Sequence, residues 1–263
     1  MIATADDGTR LHYVVEGSGP PVVLVGGKSS TIAGAWWRFL PALTDQFRVI
    51  AFDNRGAGDS DKPDRAYTTR LLAEDAWTVL HAAGETSAHW FGLSLGGMVL
   101  QELALAHPEA VRSLILGATH CGGREALTPL SERDRAALAH SPYRRLATLY
   151  TPAFLLEHPD WVAQDAAHFG KMPLHAIIRQ DQAAAAHNAC DRLQGISCPV
   201  LILHGADDRM IPASRAQDLH RRIPHSELRI LPGGHQFYSE RFEDVLQLVH
   251  DFIVRAERAR VRP

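Results

Sequence analysis

Cysteine is scarce: Cys121, Cys190 and Cys198 are the only three in 263 residues. Odd in number and far apart, they form no CxxC pair and lay out no disulfide framework, so a reducing compartment is expected. An apolar leader is missing from the polar stretch Met1 to Arg10, and no apolar run approaches the ~20 residues of a membrane span. These absences predict a cytoplasmic protein with no membrane partner. Charge imbalance is lacking too. A formal net charge of -3 and a pI near 6.6 give no electrostatic reason to expect nucleic acid. The four arginines between Arg255 and Pro263 read as a solvated helix end. The fifteen histidines show no HExxH or other metal-ligand spacing, so neither a metal nor a cofactor is expected.

Short apolar runs alternating with helical patterns are plentiful, and they predict strand-helix units around a mostly parallel sheet. Strands are expected at Thr9 to Glu16, Pro21 to Val25, Arg48 to Phe52, Ala88 to Leu93, Val111 to Ala118, Pro199 to His204 and Glu227 to Leu231. Helices are expected at Trp36 to Phe47, Thr69 to Ala83, Leu95 to His107, Ala213 to Arg222 and Phe242 to about Arg258. The rhythm breaks at 120–197, which is rich in Ala, Leu and Arg and has no β-branched run. That segment reads as a helical cap inserted into an α/β core formed by 1–119 and 198–263.

Gly92-Leu93-Ser94-Leu95-Gly96 fits G-x-S-x-G with a strand directly before it and a helix directly after it. Such a turn holds the serine in a strained conformation and projects Oγ from the sheet as a nucleophile. The helix N-terminus puts partial positive charge, and the Leu95 N–H, beside a developing oxyanion. A serine hydroxyl also needs a base. Gly205-Ala206-Asp207-Asp208 follows one later strand and Pro232-Gly233-Gly234-His235 follows the next, which puts a carboxylate and an imidazole on the edge that carries Ser94.

With these turns the chain resembles the α/β-hydrolase superfamily over nearly its whole length. The family's G-x-x-D-x-x-x-P register falls on Gly205, Asp208 and Pro212, which implies Asp208 as the acid and leaves Asp207 as the fallback. The resemblance implies His235 as the base and the loop Gly26-Gly27-Lys28 as the second oxyanion donor, through the Lys28 N–H. Glycine stands there where the family usually has histidine. The Lys28 ammonium then either faces solvent or enters the pocket and favours anionic substrates. Phe52 to Ser60 resembles the family's D-x-R-G-x-G-x-S turn and reads as structural, with Asp53 and Arg55 pairing internally. The run Gly92 to Gly123 is similar to the 3-oxoadipate enol-lactonase-like and carboxylesterase-like branch.

Gly27, His120, Trp37 and Trp161 are further candidates for substrate contact, although packing is the competing role for each. Phe154, Leu155, Leu156, Trp161, Phe169 and Met172 in the cap point to an apolar or aromatic acyl group. The expected activity is hydrolysis of a small-molecule ester or lactone through an acyl-enzyme on Ser94. The same residues also serve C–C bond or thioester hydrolysis, or a non-hydrolytic cyclase or lyase. A ligand-binding receptor with little turnover is the reading from another class. Self-association into a homo-oligomer stays open.

Overall fold

The protein is described here from a computed structural model that covers residues 1–123, 148–170 and 172–261. Its eight strands are β1 (Ile2–Thr4), β2 (Arg10–Glu16), β3 (Pro21–Val25), β4 (Arg48–Phe52), β5 (Ala88–Leu93), β6 (Val111–Gly117), β7 (Val200–Gly205) and β8 (Ser226–Leu231). They form one sheet in the order β1-β2-β4-β3-β5-β6-β7-β8. Only the β1–β2 and β2–β4 pairings are antiparallel; from β4 to β8 every neighbour is parallel. β3, β5 and β7 are buried along their whole length, which is why they read as near-continuous apolar runs, interrupted by His89 in β5 and closed by His204 in β7, and not as alternating ones.

Helices cover both faces. On one face α3 (Thr69–Ala82), α4 (Leu95–Ala106) and α8 (Ser214–Arg222) bury Leu72, Val79, Val99, Leu103 and Leu219 against the sheet. The other face is covered by α1 (Ile32–Trp36), α2 (Phe39–Leu43), α9 (Phe237–Glu240) and α10 (Phe242–Val261), which bury Trp36, Phe39, Phe237, Val249 and Phe252. Each such side chain contributes roughly 1.5–3 kcal/mol on leaving water. Between β6 and β7 the described residues carry helices α5 (Pro152–Glu157), α6 (Pro159–Ala167) and α7 (Leu174–Ala186). The first part of the expected cap, 124–147, lies outside the described residues. Among the described residues no helix is long and apolar enough to cross a membrane.

Several expectations are corrected. The helix expected at Trp36 to Phe47 is shorter: within that range lies α2, and the separate helix α1 ends at Trp36, because Pro41 cannot continue a helix through the preceding turn. Three residues were too few to show a period, so β1 was not anticipated. Cys121 and Cys190 form a disulfide across 69 residues of sequence, contrary to the expectation of unpaired thiols. Their spacing hid this, since only the fold brings the end of β6 beside the chain returning from the insertion. The ground for expecting a reducing compartment goes with it. Nor does Arg55 pair with Asp53. It is fully buried and bonds Asp75 at 2.8 and 2.7 Å and Asp7 at 2.5 Å. Asp53 instead accepts from the N–H groups of Ile32 and Asp59 and faces His12.

Candidate active site

Ser94 sits between β5 and α4 at φ 52° and ψ -115°, a left-handed conformation that a non-glycine residue adopts only when its surroundings enforce it. Its N–H donates to the Gly117 carbonyl at 2.8 Å, and its own carbonyl accepts from Thr119 Oγ1 at 2.8 Å and the Met98 N–H. The flanking glycines are sterically required. A Cβ on Gly92 would stand 2.7 Å from the Gly96 carbonyl carbon, and one on Gly96 would collide with the Val25 carbonyl oxygen. The turn can therefore bring α4 hard against β3, with Leu95 at the helix start where N–H groups lack intrahelical acceptors.

Past β7, Asp208 is buried, and its Oδ1 accepts from the Met210 and Ile211 N–H groups at 2.8 and 2.9 Å. Its Oδ2 bonds His235 Nδ1 at 2.8 Å. Burial alone would raise the Asp208 carboxyl, but His235 and His204 outweigh it and hold the group well below the usual carboxylate range. Asp207 is exposed, so of the two neighbouring carboxylates Asp208 is the one on the imidazole. The two loops are stitched together: the Ala206 N–H donates to Leu231 and the Asp207 N–H to Gly233. Glu240 of α9 accepts from the Gly234 N–H at 3.0 Å and from the Thr151 N–H at 2.9 Å, linking the His235 turn to the insertion.

Ser94 and His235 line one cavity of about 290 Å³ at the carboxyl edge of the sheet, beside β3 where the strand order reverses. Gly27, Lys28, Ser29 and Ser30 from the loop after β3 form one wall. Leu93, Ala118, Leu149, Phe169, Ile177 and Met210 supply apolar surface, and Asp181, Gln236 and Tyr238 supply polar groups. Burial pushes the Tyr238 phenol above its ordinary range, with Asp165 adding to the shift, so it stays a neutral donor. Lys28 Nζ does not enter as a free charge; it donates to Asp181 of α7 at 2.6 Å.

Three of the candidate substrate contacts lie elsewhere. Trp37 Nε1 donates to Asp165 at 3.0 Å, and Trp161 Nε1 donates to Ser239 Oγ at 2.8 Å. Arg38 lies between the two rings, 3.8 and 3.5 Å from their centroids. Asp165 also accepts from Arg38, Tyr150 and Ser239, so both tryptophans belong to a buried junction between insertion and core. His120 accepts from the Gly122 N–H through Nδ1 and is outside the cavity lining. Burial depresses it to about 4, with His187 next among the causes. Conversely, Gln180, Asp181, Gln236 and Tyr238 were not singled out from the sequence, because no motif or period marks them. Among the described residues His12, Asp53 and Asp59 could approach a cation together, but both Asp53 oxygens already accept backbone N–H bonds, as a structural turn requires.

Residues 20–242 match the family described as alpha/beta hydrolase fold. A protein of Azorhizobium caulinodans named "Putative carbamate hydrolase RutD" is 31% identical over 244 residues, covering 89% of this chain and 91% of its own. Est816, described as an N-acyl homoserine lactone degrading enzyme, superposes with a TM-score of 0.83 at 28% identity, over 96% of this chain and 100% of its own. The enol-lactonase of Burkholderia xenovorans shares the fold at a TM-score of 0.85 and 23% identity, over 97% of this chain and 100% of its own. With a parallel sheet of this strand order, a strained strand-to-helix serine turn and a family match over most of its length, the chain belongs to the alpha/beta hydrolase fold family.

Proposed function

We propose that the protein is a serine hydrolase that cleaves a small carboxylic ester or lactone through an acyl-enzyme on Ser94. The observation that carries this reading is the hydrogen bond between Asp208 and His235, with His235 and the strained Ser94 lining one cavity. In this reading His235 takes the Ser94 proton as Oγ bonds to the substrate carbonyl carbon. The Leu95 and Lys28 N–H groups hold the resulting oxyanion. Collapse breaks the bond to the alcohol oxygen, which His235 protonates. Water then attacks the acyl-enzyme by the same route and frees Ser94. Asp208, kept ionised, fixes the imidazole tautomer and stabilises the imidazolium. The helices between β6 and β7 act as the cap, whose Phe169 and Ile177 shape the acyl site and exclude bulk water. A cavity of about 290 Å³ suits a compact acyl group.

A carbamate is the second reading, favoured by the name of the 31% identical relative. The first half of the reaction is then the same attack on a carbonyl carbon, with a different acyl group left on Ser94. A fluorophosphonate probe should label the wild type and not Ser94→Ala. Turnover of short p-nitrophenyl esters, simple lactones and aryl carbamates then separates the two substrate classes. A folded wild type that no probe labels would sink both.

A further inference from the structure

Two adjacent residues of α7, Gln180 and Asp181, grip two adjacent residues of the loop after β3. Gln180 is fully buried despite its polar side chain. Its Oε1 accepts from the Ser29 N–H at 2.8 Å, and its Nε2 donates to the Arg55 carbonyl at 2.9 Å. Only one orientation of the amide satisfies both contacts, because an N–H must face an oxygen and a carbonyl must face an N–H. Arg55 is itself fixed by Asp75 and Asp7. Gln180 is thus anchored on a rigid part of the core at one end and holds the loop at the other. One residue on, Asp181 accepts from Lys28 Nζ.

The loop needs such a hold. Ser29 adopts φ 59°, a left-handed conformation that costs an ordinary L-residue roughly 1–2 kcal/mol. The neighbouring ties are an Asn54 Nδ2 bond to the Gly26 carbonyl at 2.9 Å and a Ser30 N–H bond to the Gly27 carbonyl at 3.2 Å. Neither touches the peptide that joins Lys28 to Ser29. Gln180 does, through the Ser29 N–H.

We propose that Gln180 is a positioning residue for the oxyanion hole: with α7 seated, it fixes the Lys28–Ser29 peptide while the Ser30 N–H holds the Gly27 carbonyl, so the Lys28 N–H between the two ties is aimed at the substrate oxygen. The inference rests on the serine-hydrolase reading and deepens it, since the hole becomes a joint product of core and cap. Lifting α7 takes the Ser29 acceptor away and lets the strained loop relax, so the site is competent only when the cap is docked.

The test uses the full chain, with active sites counted by fluorophosphonate titration so that turnover is expressed per folded site. Wild-type labelling, lost in Ser94→Ala, establishes the underlying reading; its absence overturns that reading and the inference with it. Gln180→Met fills the same space without donor or acceptor. It should lower kcat per titrated site about 10- to 100-fold with KM within about threefold, somewhat less than the loss of a whole oxyanion donor. Affinity for a trifluoromethyl ketone, whose tetrahedral adduct places an oxyanion in the hole, should fall in parallel. Gln182→Met, on the exposed side of the same helix, should match the wild type. Wild-type turnover and wild-type ketone affinity in Gln180→Met overturn the proposal. If that variant yields no titratable sites, Gln180→Asn decides. It keeps an amide but is one methylene too short to reach both Ser29 and Arg55, so a fall of threefold or more in kcat per site supports the proposal and unchanged kcat refutes it.

Discussion

The turn that carries Ser94 and the helix that carries Gln180 face the same cavity, yet they are held there by different means. Ser94 is placed almost wholly by backbone: a strand end, two glycines that permit close approach, and N–H and carbonyl bonds to Gly117 and Met98, with one side-chain bond from Thr119 Oγ1. The insertion is placed by side chains that cross to the core. Asp165 gathers Trp37, Arg38, Tyr150 and Ser239 at one junction, and at the other Arg192 bonds Glu102 while His187 meets Thr69 and Gln101. A backbone-built site tolerates sequence change around it but not at the turn itself. A segment held by side chains can lose one tie and keep its fold, so its contacts can be tested singly.

The largest contrast should come from the sheet edge. Ser94→Ala or His235→Ala is expected to lower kcat by about 10⁴- to 10⁶-fold, because in the proposed mechanism the residues act as a unit. Asp208→Asn should cost about 10⁴-fold through the wrong tautomer, whereas Asp207→Asn, one residue away and exposed, should stay within threefold. Steady-state rates per titrated site check both, and equal losses in the two variants would contradict the acid assignment. On the insertion side the expected loss is in stability. Asp165→Ala strands buried donors from four residues and should cost about 3–5 kcal/mol, lowering Tm by roughly 10 °C in a calorimetric scan. At 25 °C its kcat per site should change less than tenfold.

Acid should find the histidines that both regions bury. His89 of β5, His187 at the junction and His120 beside it are each pushed down to about 4, by burial above all. In the unfolded chain they titrate near 6.5, so the stability of the neutral forms is complete above that pH and drains away as pH falls toward 4. The drain amounts to about 3 kcal/mol for each. His187→Gln, which cannot titrate, should flatten the slope of unfolding free energy against pH in that window by close to one proton. An unchanged slope in urea melts between pH 6.5 and pH 4 would show that His187 titrates normally.

The same contrast decides what could be read in advance. β3, β4 and β5 fall at the expected residues because burial of all or nearly all of their positions leaves a mainly apolar run, and the G-x-S-x-G turn is local in sequence. The meeting of Asp208 with His235 was legible for the same reason, since both are turn residues directly after strands. Trp37 and Trp161 misled because a tryptophan near a pocket and a tryptophan in a junction look alike without their partners, here Asp165 and Ser239. The Cys121–Cys190 disulfide and the Gln180–Ser29 bond span 69 and 151 residues of sequence, and no local pattern encodes such meetings. Side-chain ties between insertion and core carry no period, and so they were not seen.

The smallest effect belongs to the place where the two regions touch at the cavity rim. Lys28 and Asp181 form an ion pair with side chains 36% and 53% exposed, so water and salt screen it and its contribution to stability is slight. Its consequence is for selection. With Asp181 in place the cavity gains little net positive charge from Lys28; without it the ammonium stands free beside the loop after β3. Asp181→Asn should therefore raise kcat/KM for an ester with an anionic acyl chain, such as a p-nitrophenyl hemisuccinate, about two- to fivefold relative to its neutral homologue. The gain should shrink as ionic strength rises, because the interaction is screened over about a Debye length. An anionic preference that does not change in Asp181→Asn would mean that the Lys28 charge never reaches the substrate, and the rim would then be a fastening between core and insertion with no part in choosing what enters.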